Sequence, residues 1–319
     1  MSKWIVVLVF LVCIVSCKLG GGSESSVQPE ASISTSCPNN YILVPGNSTL
    51  ATSDFCVMKY EAKAWLDNNS NEIVDSGEVD SDGCNEAGCT TSNWGTSNHL
   101  AISSSEGLPW RRIDRITAKT LCTTLGPNYD LISNVEWLTI AREIELDARN
   151  WSSSIVSDGI GSTNRIFGGN TGAASSYDYN NGGLDSGAGR DTKARLYLSN
   201  DNEIWDISGN AWEWVDWTFG STLGDYPGSC GTSWWEVTSS GLQTNCADLS
   251  LEDAYPKRFP SIVLSSDDGI GKVYGGNLGG AMRGGGSTSS TNAGVYSLHL
   301  NFDNTTSSDG IGFRCVYRE

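Results

Sequence analysis

Eight cysteines lie beyond residue 36 of this 319-residue chain, and they restrict its possible folds more than any other feature. They are Cys37, Cys56, Cys84, Cys89, Cys122, Cys230, Cys246 and Cys315. The other two, Cys13 and Cys17, belong to the apolar N-terminus. None of the eight forms a CxxC pair, so a zinc cluster is not expected. An even number in an exported chain reads as a disulfide framework, although the count alone leaves about a hundred pairings open. Short separations favour Cys37–Cys56, Cys84–Cys89 and Cys230–Cys246, leaving Cys122 and Cys315 far apart in sequence.

Export is read from MSKWIVVLVFLVCIVSC, where one lysine precedes an apolar run that is short for a membrane span. Ile14-Val15-Ser16-Cys17 resembles a bacterial lipobox. That resemblance implies a signal peptide over residues 1–16 and lipid on Cys17. Several acyl chains would anchor the protein stably where one would not. Lys18 at the following position implies the outer membrane of a Gram-negative bacterium. Residues 17–36 are poor in large apolar side chains and read as a tether reaching roughly 25 Å. The folded domain is expected over 37–319.

The formal charge of −17, with 20 Lys and Arg against 37 Asp and Glu, repels phosphate backbones and argues against nucleic acid as a partner. Locally, YILV and FCVMKYEA around a Gly-Asn turn predict short strands. PWRRIDRITAKTLCTTLG (109–126) predicts a helix with Ile113, Ile116, Leu121, Cys122 and Leu125 along one stripe. A second helix is predicted over 129–145, capped by Ser133 or Asn134, with Trp137, Ile140, Ala141 and Ile144 on one face. Residues 150–195 are rich in Gly, Ser and Asn and predict long loops.

Three segments follow in order: DISGNAWEWVDW (206–217), AMRGGG (281–286) and GIGFRCVYR (310–318). Together they resemble the formylglycine-generating enzyme, or sulfatase-modifying factor, family over about residues 37–319. The resemblance implies an α+β, C-type-lectin-like fold with little regular secondary structure and terminal strands that pair. It also supports a bridge from Cys122 to Cys315, which would close a very long loop and contribute on the order of 4 kcal/mol. It carries a structural calcium site onto the side chains of Asp206 and Glu213 and the carbonyls of Gly209 and Ala211. Calcium favours several oxygens at about 2.3–2.6 Å, and carboxylates flanking a tight turn can supply them. The competing reading is that Glu213 pairs with an arginine such as Arg283. Trp212 and Trp214, two apart on a strand, would share one face and fill the core.

The chemistry of the family is not expected here. Its enzymes resemble one another in two cysteines just after Arg-Gly-Gly that hold copper, and residues 283–306 contain none. The histidine-rich iron site of related sulfoxide synthases cannot be built from His99 and His299 alone. There is no G-x-S-x-G nucleophile motif either. No redox metal is expected, and the leading reading is a calcium-stabilised scaffold that binds an extracellular ligand or partner without catalysis. Tyr296, His299, Asn301 and Phe302, in the loop region from Gly286 to Gly312, are its candidate binding residues. Two alternatives remain: an oxidoreductase with atypical metal ligands, and a variable adhesin of the kind diversified by retroelements.

Overall fold

A computed structural model describes residues 36–66, 78–79, 99–156, 164–185, 190–218, 233–235, 237–238, 241–242, 268–276 and 279–319. All belong to the second of two compact units, Thr35–Glu319. The expected lipid anchor Cys17 and the pairings Cys84–Cys89 and Cys230–Cys246 lie outside the described residues.

The chain begins with strands β1 (Tyr41–Val44), β2 (Phe55–Met58), β3 (Ala62–Trp65) and β4 (Leu100–Ser103). Helix α1 (Arg115–Thr124), β5 (Tyr129–Leu131) and helix α2 (Asn134–Leu146) follow. Short strands come next: β6 (Gly169–Asn170), β7 (Asp178–Tyr179), β8 (Arg195–Tyr197) and β9 (Glu203–Trp205). The long strand β10 (Trp212–Thr218) precedes β11 (Trp234–Trp235), β12 (Val237–Thr238) and β13 (Gly241–Leu242). Strands β14 (Val273–Tyr274), β15 (Gly280–Arg283), β16 (Leu298–Phe302), β17 (Ile311–Phe313) and β18 (Cys315–Tyr317) complete the domain. Two helices among many short strands and long connections make this an α+β fold, as expected.

Two sheets organise it. The first has the order β1-β2-β18-β5, so the last strand inserts between strands from the beginning of the domain. The second has the order β11-β14-β16-β15-β10-β17. Strand β17 pairs in parallel with β10, and the chain then passes through one residue, Arg314, into β18 of the other sheet. That residue therefore sits where the chain switches sheets.

Local sequence explains several elements. At the Gly-Asn turn between β1 and β2, the Asn47 carboxamide accepts from the Thr49 and Leu50 N–H groups at 3.0 and 3.2 Å. Helix α2 starts with a capping box, in which Ser133 accepts from the Glu136 N–H and the Glu136 carboxylate accepts from the Ser133 N–H. Its Trp137, Ile140, Ala141 and Ile144 are all fully buried against Val57, Val215 and Val316. The helix begins later than its predicted span because residues 129–131 pair with β18 as strand β5. Helix α1 is capped by Asp114, which accepts from the Thr117 N–H at 2.7 Å. The predicted stripe along α1 needs correction: Ile113 lies before the helix, and Ile116 is 55% exposed. Ala118, Leu121 and Cys122 supply the inward face instead.

Cys37–Cys56 and Cys122–Cys315 are bridged, with Cα separations of 5.5 and 5.4 Å. The second bridge ties α1 to the terminal strand β18, across the second core. There Trp110, Ile113, Trp214, Met282 and Phe313 pack together.

Candidate functional site

The turn joining β9 to β10 is held in a conformation few residues adopt. Asp206, Gly209 and Asn210 have φ of 60°, 79° and 62°. A Cβ at Gly209 would lie 2.5 Å from the Asn170 carbonyl oxygen, so the position admits only glycine. The backbone is tied on several sides. Gly209 N–H donates to the Gly284 carbonyl at 3.2 Å, and Asn210 N–H donates to that of Asn170 at 2.7 Å. The buried Glu61 carboxylate accepts from Ala211 N–H at 3.0 Å and from the Asn210 amide at 2.5 Å. Glu61 was missed in the sequence because it lies 150 positions from its partner.

Beneath the turn lies a set of fully or nearly fully buried charges. Glu213 on β10 accepts from Arg314 Nε at 2.6 Å and Nη2 at 2.5 Å. Both side chains are fully buried. Arg314 also donates to the carbonyls of Met58 and Trp205, at 3.2 and 3.1 Å. Burial opposes the Arg314 charge, yet Glu213 raises its pKa above the usual guanidinium value. The alternative partner proposed for Glu213, Arg283, is its neighbour across β15 but turns elsewhere. Its Nε and Nη2 donate to the Asn134 carboxamide oxygen at 3.0 and 2.6 Å, and its Nη1 donates to the Tyr296 carbonyl at 2.9 Å.

Asp206 faces Arg190, whose Nε lies 3.0 Å from one carboxylate oxygen in an ion-pair contact between buried groups. Lys63 on β3 is fully buried nearby. Burial and the Arg190 charge push its ammonium down to about 8, against the pull of Glu61 and Asp206. Burial and the Asp206 charge push the Glu61 carboxyl above the usual carboxylate range, against the pull of Lys63 and Arg314.

This arrangement does not fit calcium bound through Asp206 and Glu213. A divalent ion needs carboxylate oxygens free to face it, whereas each of these two already faces a guanidinium. Among the described residues no group of three or more His, Cys, Asp or Glu is placed to hold a metal ion. The two side chains expected as calcium ligands thus stand in a salt-bridged network, Glu213 with Arg314 and Asp206 with Arg190.

The predicted binding residues separate into two groups. Tyr296 is 1% exposed, and its hydroxyl donates to Glu145 Oε2 at 2.8 Å, so it is a core residue. His299 and Phe302 are half-buried on β16 and stack with ring centroids 4.8 Å apart. The other face of His299 stacks on Tyr274 of β14 at 4.5 Å, with 16° between planes. Trp234 and Trp212 meet His299 edge-on at 5.9 and 5.4 Å and stack on each other at 6.1 Å. The N–H of Asn301 donates to His299 Nδ1 at 3.3 Å, which places the neutral imidazole's hydrogen on Nε2. Burial pushes the His299 pKa down to about 4.

Trp212, Trp234 and Tyr274 are also half-buried, and they were not among the expected binding residues. Strand register brings them together. Trp234 lies opposite Tyr274, Tyr274 opposite His299, His299 opposite Met282 and Met282 opposite Trp214. One row of side chains thus runs from the core at Trp214 to a half-exposed aromatic end at Trp234. Trp212 does not fill the core as Trp214 does. It stands at the border of this row, where a Cβ on Gly286 would approach its ring to 3.2 Å. A separate groove of about 640 Å³, lined by Tyr41, Trp65, Leu100 and Tyr129, has no charged side chain on its wall among the described residues.

Fold and site together define a disulfide-braced α+β domain in which a buried charge network supports a turn beside an aromatic surface. The chain belongs to the family of sulfatase-modifying factor enzyme 1-like domains, whose profile matches residues 39–319. Among solved structures it is similar to Treponema denticola variable protein 1, at 13% identity over 88% of this chain and 92% of that one, with a TM-score of 0.38. It is also similar to PvdO from Pseudomonas aeruginosa, at 13% identity over 88% and 91%, with a TM-score of 0.37. No curated protein matches.

Proposed function

We propose that this protein is an exported lipoprotein, anchored through Cys17, whose domain binds an extracellular ligand or partner protein without catalysing a reaction. The aromatic cluster of Trp212, Trp234, Tyr274, His299 and Phe302 carries this reading. Half-buried rings gathered from four strands offer flat apolar faces at small entropic cost, since each ring has only two side-chain torsions. With Nδ1 already accepting a hydrogen bond, His299 presents an Nε2–H donor and no charge at neutral pH. A ligand with a flat, weakly polar face, such as a sugar ring or an aromatic side chain, suits these properties.

The non-catalytic part of the proposal is supported by the donor groups. Cys315, the cysteine nearest the Arg-Gly-Gly segment in sequence, is bridged to Cys122. His99 packs against Trp110, while His299 lies in the aromatic cluster, so the two histidines have different neighbours. Binding is tested by probing an array of neutral and acidic glycans and a panel of extracellular proteins with the wild type and with Trp234→Ala and Trp212→Ala. Retention by the wild type, weakened about tenfold or more in either variant, is expected. Catalysis is tested by oxygen consumption with cysteine-containing peptides. Turnover accompanied by stoichiometric copper or iron would refute the proposal. Incorporation of labelled palmitate that disappears in Cys17→Ala tests the anchor.

A further inference from the structure

The buried charges under the Asp206–Ala211 turn play no part in the proposed binding surface, and burying ions is costly. Moving one from water into a protein interior costs several kcal/mol unless partners compensate. Three carboxylates, Glu61, Asp206 and Glu213, are each 0% exposed. Three cations accompany them: Lys63 and Arg314, also 0% exposed, and Arg190, whose side chain is 4% exposed. Asp185, 1% exposed and accepting from the Tyr179 hydroxyl, adds a fourth carboxylate at the margin.

Their division of labour is uneven. Glu61 is committed to the turn through Ala211 N–H and the Asn210 amide, and Glu213 is committed to Arg314. Asp206 is different: neither of its carboxylate oxygens has a hydrogen-bond donor among the described residues. Lys63 Nζ and Arg190 Nε and Nη2 likewise have no hydrogen-bond acceptor among the described residues. These groups are therefore held by charge, with Arg190 Nε 3.0 Å from Asp206 Oδ2 and Lys63 within electrostatic reach of both Glu61 and Asp206. A compact positive charge facing a carboxylate at the base of a strained turn does what a bound metal would do there. It neutralises the acid and holds the turn in place.

We infer that Arg190 and Lys63 are a built-in replacement for a divalent cation at this turn, so that the domain holds Asp206 and its neighbours without a metal ion there. Adding a dication to the same space would bring it against two buried cations of its own sign. A metal could enter only if Arg190 left. The chain thus retains the acidic residues and the turn while supplying the countercharge from β3 and from the segment just before β8.

The test uses the full exported protein. EDTA and millimolar calcium are expected to shift thermal unfolding of the wild type no more than that of Asp206→Asn. Any calcium the protein carries elsewhere should be retained in Asp206→Asn. In Arg190→Met the vacated carboxylate should accept metal, so that calcium raises the melting temperature of the variant more than that of the wild type. Equal responses of the two proteins, including no response in either, overturn the inference. Should Arg190→Met fail to fold, calcium titration of the wild type against Asp206→Asn decides alone. Uptake that the substitution abolishes overturns the inference, and uptake that is absent or unaltered upholds it.

Discussion

Glu213 and Arg314, 101 residues apart, form a two-pronged ion pair with both side chains at 0% exposure. Glu213 comes from DISGNAWEWVDW and Arg314 from the terminal GIGFRCVYR, so two of the three segments that mark the family meet in one contact. The pair lies where the chain leaves β17 of one sheet for β18 of the other, and Arg314 reaches back to the carbonyls of the last residues of β2 and β9. Removing either partner strands the other charge in the interior. Arg314→Met or Glu213→Gln is expected to cost on the order of 3–5 kcal/mol in urea unfolding. The double replacement Glu213→Leu/Arg314→Met should cost clearly less than the sum of the two single changes, because no unpaired charge remains. Strict additivity would show that the pair is not coupled.

The Cys122–Cys315 bridge joins residues 193 apart, across the second core. Replacing both with alanine is expected to lower stability by on the order of 4 kcal/mol, measured by denaturant unfolding under non-reducing conditions. Peptide mapping of the unreduced protein should recover Cys122–Cys315 and Cys37–Cys56 as linked pairs, and recovery of mixed partners would contradict this pairing.

His299 makes stability depend on pH in a defined window. Burial holds its folded pKa near 4, while in the unfolded chain it returns to about 6.5. Between these values the unfolded state takes up a proton that the folded state does not, so acid favours unfolding. The His299 contribution is complete above about 6.5, falls as pH drops, and is gone near 4. The whole loss amounts to at most about 3 kcal/mol. His299→Gln should flatten this part of the wild-type stability profile. An unchanged slope in the variant would locate the acid sensitivity elsewhere.

Gly209 tests the turn itself. With φ of 79° and a would-be Cβ 2.5 Å from the Asn170 carbonyl, Gly209→Ala requires backbone movement in both segments. A loss of about 2 kcal/mol or more is expected by thermal or urea unfolding. Gly182→Ala is a control for φ alone, since its φ of 74° is similar and, among the described residues, nothing lies within 4 Å of the added carbon. It should cost only about 1 kcal/mol. Equal costs for the two would show that the close approach at Gly209 does not matter.

Much of the scaffold was legible before any coordinates. The β1–β2 pair, a cap at Ser133 or Asn134, the inward face of α2 and the Cys37–Cys56 bridge follow from the chain, and the Cys122–Cys315 bridge from its family resemblance. Each depends on residue types at short or recurring spacing, or on motifs that travel as units. The site was less legible. Asp206 and Glu213 were expected as calcium ligands through the family resemblance, whereas their burial and the cations that face them were not foreseen. Tyr296 lay in a polar segment and looked like a contact residue, whereas Glu145 of α2 draws its hydroxyl into the core.

What the sequence determined by itself was therefore the positions where local backbone chemistry is decided within a few residues, while the class of fold and the terminal-strand pairing were implied by its resemblance to a known family. Only the tertiary structure decided that Arg314 rather than Arg283 neutralises Glu213, that Arg190 and Lys63 gather under Asp206, and that Trp234, Tyr274 and His299 form one row. The physical reason is register. Which side chains meet across neighbouring strands depends on the hydrogen-bond alignment of segments tens to hundreds of residues apart, and a shift of one residue would turn each to the opposite face.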